Sequence, residues 1–178
     1  RRIGGKPDYD CSVYGEDSDY CNSNQVDSSE IDFALKYTQK GDLDFGFLSA
    51  SERDQKFSEG RDFYALRLNT KKNDLRYGYL GTYVDKPVFD DNALVNSFDL
   101  EYLPSKIHRL TSNLIHSKAE DKDGFGLTLG YRYDPNKDFS SGLGIYYYDD
   151  DLDLNDMGYL ILNDRLQFNG RTQFKKTD

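Results

Sequence analysis

Apolar and polar residues alternate with a period of two in about ten segments between residue 31 and the end of the chain. Because successive side chains of a β-strand point to opposite faces, this period predicts about ten strands. The clearest segments are 31–37, 94–102, 125–133 and 165–175. In each of them most apolar residues share one face and most polar residues share the other. Segment 107–117 is mixed on both faces, so its register cannot be read from the sequence.

The connections between these segments differ in length. Short connections are predicted at 39–42, 71–74, 104–106, 134–138 and 163–164, and longer polar ones at 52–61, 85–92, 118–123 and 149–156. Transmembrane β-barrels have tight periplasmic turns and larger external loops. The predicted strands of about eight to ten residues are also close to the 9–11 residues of membrane strands. We therefore expect an all-β, antiparallel up-and-down transmembrane β-barrel of about ten strands in the outer membrane of a Gram-negative bacterium.

This topology makes residues 1–30 an extracellular loop and residues 31–178 a segment of barrel hairpins. With the short turns on the periplasmic side, the tenth strand ends with residues 175–178 at the outer surface. Because the chain starts at Arg1 and stops at Asp178, we expect it to be part of a larger barrel. Two-sided strands also occur in β-sandwiches, so a secreted soluble sandwich or solenoid stays open as an alternative.

Composition narrows the range of partners. The chain has 178 residues, with 37% hydrophobic residues, fifteen Tyr and eleven Phe, which suits aromatic girdles. A net charge of −9 and a pI near 4.7 exclude a nucleic-acid partner, because phosphate binding requires clustered Lys and Arg. The mean hydropathy of −0.83 favours the soluble alternative. The acidic segment 149–156 could hold Ca²⁺ or contact cation-bridged lipid headgroups, or it is simply a solvated loop without EF-hand spacing.

Cys11 and Cys21 are the two cysteines, and neither is near a histidine in the sequence. We predict a disulfide between them, with unlinked thiols as the alternative. Such a bond persists in an oxidising compartment such as the periplasm or the cell surface. Closing this loop would stabilise the fold by about 2–3 kcal/mol.

Catalytic and cofactor motifs are missing from the sequence. His108 and His116 lie eight positions apart on one predicted strand, about 26 Å at strand rise, so they cannot share a metal ion. The chain has no nucleophile elbow, phosphate-binding loop, His-Glu-x-x-His or Cys-x-x-Cys. We expect no enzymatic activity, no metal site and no cofactor.

Charged residues on the polar faces of the strands are the candidate functional residues. If the apolar faces contact lipid, these side chains line the lumen, where they tune selectivity or form salt bridges that fill it. The candidates for the lumen are Arg67, Asp99, Glu101, Arg132, Arg165 and Arg171.

Two short motifs carry a resemblance to a known family. Residues 1–7 read Arg-Arg-Ile-Gly-Gly-Lys-Pro, and residues 153–160 read Asp-Leu-Asn-Asp-Met-Gly-Tyr-Leu. The chain resembles an uncharacterised family of bacterial outer-membrane proteins in which a carbohydrate-binding, family-9-like β domain precedes a long C-terminal barrel. Leu154 and Tyr159 replace the phenylalanines usual in that family. The resemblance implies an outer-membrane location and handling of glycans or their fragments, and it implies no catalytic residues.

Three functional hypotheses follow. The first is a porin-like outer-membrane barrel, in contact with outer-membrane lipid, that passes or binds small polar molecules or glycans. The second is a secreted carbohydrate-binding β-sandwich that uses the tyrosine-rich segment 145–148. The third is a structural subunit whose acidic loops contact another envelope protein.

Overall fold

The computed structural model describes residues 6–119, 121–154 and 162–175. A 3-10 helix, Cys11–Asp17, and the short helix α1, Ser18–Ser23, precede the strands. Nine strands lie within the described residues: β1 (Ile31–Gln39), β2 (Leu43–Glu52), β3 (Asp62–Lys72), β4 (Leu75–Lys86), β5 (Asp91–Ser105), β6 (His108–Ala119), β7 (Lys122–Tyr133), β8 (Phe139–Tyr148) and β9 (Arg165–Phe174). A second 3-10 helix, Pro87–Phe89, connects β4 to β5. No helix within the described residues is long and apolar enough to cross a membrane.

The nine strands form one antiparallel up-and-down sheet in which every strand pairs with its neighbours in the sequence. The sheet is not closed, because β1 and β9 lie at its two edges. Since each strand reverses direction, β1 and β9 run the same way. We call the end of the sheet with connections 40–42, 73–74, 106–107 and 134–138 the turn end, and the opposite end the loop end.

The pairing register divides the side chains into two faces. The apolar face carries, among others, Leu35, Phe47, Leu68, Tyr79, Phe98, Leu114, Leu129, Leu143 and Phe168. The polar face carries mostly charged, small and hydroxyl side chains. The register also assigns β6, which the sequence left ambiguous. Leu110 and Leu114 lie on the apolar face, and Arg109, Thr111 and Asn113 lie on the polar face.

Large apolar side chains are exposed on one face of the sheet, which is the reverse of their usual burial in a water-soluble protein. Leu166, Phe168 and Leu143 on the apolar face are 64%, 69% and 63% exposed. The buried strand residues lie on the polar face instead. At its loop end they form an apolar cluster of Ala50, Phe63, Val84, Ala93 and Ala119. The described part of the chain contains no second sheet that covers the apolar face, so the predicted alternative of a β-sandwich does not match this fold.

The connection between β8 and β9 folds over the polar face at the loop end. Leu152 is 1% exposed, and the amide of Asp153 donates to Ser117 Oγ at 2.9 Å. Gly124 provides the space for this contact, because a Cβ at that position would lie 2.2 Å from the Leu152 nitrogen. Gly124 and the acidic β8–β9 connection therefore pack against each other.

Two predicted long loops are at least half strand. Segment 85–92 is predicted as a loop, yet residues 85, 86, 91 and 92 belong to β4 and β5, and residues 118, 119, 122 and 123 of segment 118–123 belong to β6 and β7. Polar residues continue the ladder here through cross-strand pairs of opposite charge: Lys86 lies 3.0 Å from Asp91, and Lys118 pairs with Asp123. The large connections at the loop end are therefore 53–61 and 149–164.

The predicted topology of the last strand is wrong. Segment 163–164 is predicted as a tight turn at the turn end of the sheet, but it lies at the loop end, because β9, which it precedes, is antiparallel to β8. The strand expected before that turn falls largely on residues 155–161, outside the described residues. Strand β9 consequently ends at the turn end, where the amide of Lys175 donates to Asp138 O at 2.7 Å, and not at the loop end.

We expect Gly124→Ala to destabilise the contact with the β8–β9 connection. Its Cβ would collide with backbone, and overpacking of this kind costs roughly 1–3 kcal/mol. Hydrogen exchange of residues 149–154 should become faster, and the midpoint of thermal unfolding should fall. The control is Gly142→Ala, whose nearest contact would be Tyr131 O at an ordinary 3.5 Å. Equal exchange rates in the two variants would contradict this packing.

Candidate functional site

An ion pair bridges β3 and β5 on the polar face. Arg67 Nη1 lies 2.6 Å from Asp99 Oδ1, and both side chains are about one-third exposed. Gly78 on β4 pairs with Asp99 and with Asn69, which lies two residues from Arg67, and a Cβ at Gly78 would be 2.8 Å from the side chains of both Arg67 and Asp99. The glycine thus leaves the space in which the two charges meet. Because partly exposed pairs contribute only about 0–1 kcal/mol, this pair mainly orients the two side chains.

Glu101 holds two arginines on the same face. Its carboxylate lies 3.2 Å from Arg76 Nη1 on β4 and 3.1 Å from Arg109 Nε on β6. The Glu101 side chain is 19% exposed, whereas both arginines are more than half exposed. The carboxylate is therefore shielded, and the two guanidinium groups keep donors directed to solvent.

Except for Arg109, these side chains line a groove at the turn end of the polar face with a volume of about 720 Å³. Four carboxylates and three cationic side chains contribute to it, together with Asn69, Thr70, Thr111, Asn113 and Thr128. Its walls therefore carry both hydrogen-bond donors and hydrogen-bond acceptors. Such a surface can bind a hydroxyl-rich solute, because each hydroxyl group both donates and accepts.

All six residues predicted for the lumen lie on the polar face, but they do not form one site. Arg67 meets Asp99, and Glu101 lies two residues along β5. Arg132 pairs with Asp134 at 2.6 Å, and Arg165 contacts Gln167. Arg171 lies across β8 from Arg132.

Sequence reasoning missed Arg76 and Arg109, the two partners of Glu101. Arg109 was missed because the register of 107–117 could not be read. Arg76 precedes Tyr77 and Tyr79 at alternating positions, so the period of two could have placed it on the polar face.

A second polar cluster lies at the loop end. Arg61 donates to both oxygens of Glu52, from Nε at 2.8 Å and from Nη2 at 2.9 Å. It also lies 3.4 Å from Asp8 and donates to Lys6 O, while Ser29 donates to Glu52. The cluster therefore connects the segment before β1 to the β2–β3 connection.

The carboxyl of Glu52 is 6% exposed, and burial works to raise its pKa. The hydrogen bonds from Arg61 and Ser29 outweigh this effect and hold the pKa of Glu52 below its ordinary value. Glu52 lies beyond the apolar band of the sheet, because the other face at this end carries Ser51, Asp62, Asp85 and Asn92.

The predicted disulfide between Cys11 and Cys21 is confirmed, with a Cα–Cα distance of 5.7 Å. Cys21 is fully buried, and Phe57 of the β2–β3 connection packs against the bridge. The rings of Tyr14 and Tyr20 meet Phe57 with centroids 5.0 and 5.8 Å away. The disulfide loop is thus attached to the same connection as the Glu52–Arg61 pair.

The acidic loop and the histidines form other contacts. The carboxylate of Asp149 accepts from the Phe125 amide at 2.7 Å. His116 lies 2.8 Å from Asp123, and His108 lies 2.8 Å from the Tyr131 hydroxyl. Within residues 6–119, 121–154 and 162–175, no group of three His, Cys, Asp or Glu side chains could hold a metal ion. The end of segment 149–156 lies outside the described residues.

No protein-family model matches this chain, and the searches of curated proteins and of solved structures found no similar protein. The resemblance to an outer-membrane family therefore stays a prediction. Most of its two motifs, residues 1–5 and 155–160, lies outside the described residues.

We expect Glu52→Gln to lower the free energy of unfolding by about 3 kcal/mol at pH 7, because it leaves Arg61 without its buried partner. A carboxyl whose pKa is lowered in the folded state adds stability above its ordinary value of 4.5 and loses it as the pH falls through the folded value. The difference between wild type and variant should therefore shrink below pH 4.5 in thermal unfolding. The control is Glu59→Gln, because Glu59 is exposed in the same connection. A stability difference between wild type and Glu52→Gln that does not change with pH would contradict the lowered pKa of Glu52.

Proposed function

We propose that this chain forms part of the wall of an outer-membrane β-barrel, with the apolar face in contact with lipid and the polar face lining a lumen. Small polar molecules, including glycan fragments, pass through that lumen or bind in it. The observation that carries the proposal is the inverted burial of the sheet, with large apolar side chains exposed and charged ones on the more buried face.

The size of the exposed apolar band supports this environment. Nine strands spaced about 4.8 Å apart make a band roughly 40 Å wide. On β7 the band runs from Phe125 to Tyr133, roughly 26 Å along the strand and roughly 20 Å in height for a tilt near 40°. The length along the strand and the width together give an area of roughly 1,000 Å², which exceeds the few hundred Å² that soluble monomers usually expose. Lipid would cover it.

The band also crosses the ladder obliquely. Tyr37, near the turn end of β1, lies in the same row of paired residues as Phe125, the first apolar residue after the loop end of β7. Moving from β1 to β9, the apolar band therefore shifts toward the turn end. Tilted, staggered strands are a requirement for closing a sheet into a barrel, so this shift supports the proposal.

The polar composition agrees with this arrangement. In a barrel wall each strand contributes only alternate residues to lipid, and the rest face water. The mean hydropathy of −0.83 therefore does not oppose a membrane location. The disulfide supports the cell envelope, because such bonds persist in oxidising compartments.

Closure of this sheet has a parity requirement. Because β1 and β9 run in the same direction, pairing them directly would create a parallel contact. Bacterial barrels are built from an even number of antiparallel strands. An odd number of further strands between β9 and β1 would complete such a wall.

Two substitutions on neighbouring residues distinguish lipid from water on the apolar face. We expect Leu129→Arg to reduce membrane insertion and to destabilise the inserted protein by about 2–4 kcal/mol, the cost of Arg near the bilayer centre. Thr128→Arg, directed to the polar groove, should be tolerated. The measurement is urea unfolding from lipid vesicles. If Leu129→Arg leaves the stability unchanged and the protein folds as a monomer without detergent, the soluble carbohydrate-binding alternative replaces this proposal.

Passage of solutes is tested by single-channel recording in planar bilayers, with and without added oligosaccharides. We expect ohmic steps that neutral oligosaccharides interrupt. Arg67→Gln should change these interruptions, because it removes the partner of Asp99 in the groove. The control is Arg53→Gln, in the β2–β3 connection outside the groove. A barrel that inserts without conducting or binding sugars would contradict the proposal and favour a structural role.

A further inference from the structure

Three arginines occupy three of the four positions of one row across β6–β9 on the polar face. Arg109 on β6 pairs directly with Arg132 on β7, Arg132 pairs with Gly142 on β8, and Gly142 pairs with Arg171 on β9. Like charges directly opposite each other destabilise a sheet. A row of this kind is therefore expected only where something compensates the charge.

The carboxylates of the described residues compensate this row only in part. Glu101 is shared between Arg109 and Arg76, and Asp134 contacts Arg132 from the turn end. In the described parts of the chain, no carboxylate forms an ion pair with Arg171. Arg109 and Arg132 are 52% and 60% exposed, so their donors reach solvent.

The row borders a groove of about 410 Å³. Its floor contains Gly130, Gly142 and Gly144, and its walls add the hydrogen-bonding side chains of Thr111, Tyr146 and Asn169. No described Asp or Glu lines it. The neighbouring groove on β2–β7 has four carboxylates. A chain with a net charge of −9 thus places three arginines along a groove whose described lining contains no carboxylate, while Glu101 and Asp134 pair with two of them from outside that lining.

We propose that this groove binds the oxyanion of a small solute, a carboxylate or a phosphate, with the arginines of the row as ligands. The planar guanidinium fork matches both groups, and rings of Arg select anions in pores. The site rests on the proposed function, because it requires the polar face to be a solvent-filled lumen. It makes the passing or bound molecule an anionic one.

Gly142 allows a test at the centre of the row. Its backbone is not in the left-handed region, and an added Cβ would meet only Tyr131 O at 3.5 Å. Gly142→Asp places a carboxylate between Arg132 and Arg171, and Gly142→Asn is the matched neutral control. Calorimetry of the full chain in detergent measures binding of inorganic phosphate, of glucuronate and of neutral glucose.

We expect wild type and Gly142→Asn to bind phosphate or glucuronate more tightly than glucose. Gly142→Asp should weaken anion binding about tenfold or more, the factor that corresponds to losing one charge-assisted hydrogen bond. The anion that binds more tightly shows whether the site prefers a phosphate or a carboxylate. Arg171→Gln should give the same loss, and it carries the test if Gly142→Asp does not fold.

Recordings in planar bilayers separate this site from the proposed function. If the protein binds the anion in detergent but does not conduct in bilayers, the proposed passage of solutes is contradicted and the proposed anion site is retained. If the protein conducts but wild type, Gly142→Asp and Arg171→Gln bind the anion with equal affinity, the proposed anion site is overturned and the proposed barrel is retained. A reversal potential that indicates anion preference in wild type and loses it in Gly142→Asp would support both.

Discussion

The unbroken antiparallel ladder from β1 to β9 is the constraint on which the rest of the structure depends. Its register keeps most of the large apolar side chains of the nine strands on one face, apart from the buried cluster at the loop end of the polar face. A shift of one residue in any strand pair would move the side chains of that strand to the opposite face. The connections 73–74 and 106–107 limit such shifts, because they leave too few residues for another register.

The same register determines the chemistry of the polar face. Charges from separate strands meet there on partly exposed side chains, and like charges placed opposite each other cost stability. On β3–β6 the structure meets this cost with shared carboxylates, as Glu101 between two arginines shows. Glycines at positions such as Gly78 leave space for these pairs. The polar face therefore has distinct charged regions and is not a uniformly wet surface.

Sequence reasoning predicted the strands well where alternation is strong and poorly where polar residues continue a strand. It ended strands early at 85–92 and 118–123, because charged residues resemble loop residues when their cross-strand partners are unknown. It placed 163–164 at the turn end, although β9 begins at the loop end, opposite the last residue of β8. It also missed Arg109, since the mixed pattern of β6 can be assigned only from the partners on β5 and β7.

By itself, the sequence determined the local properties of this protein: the period of two, the class of the fold, and the pairing of its two cysteines. Each of these depends on residues close together in the chain. The tertiary structure alone decided which strands are neighbours, which face is more buried and which charges meet. Arg67 and Asp99, or Arg132 and Arg171, are separated by long stretches of chain, so only the register of the intervening strands brings them to the same part of the sheet.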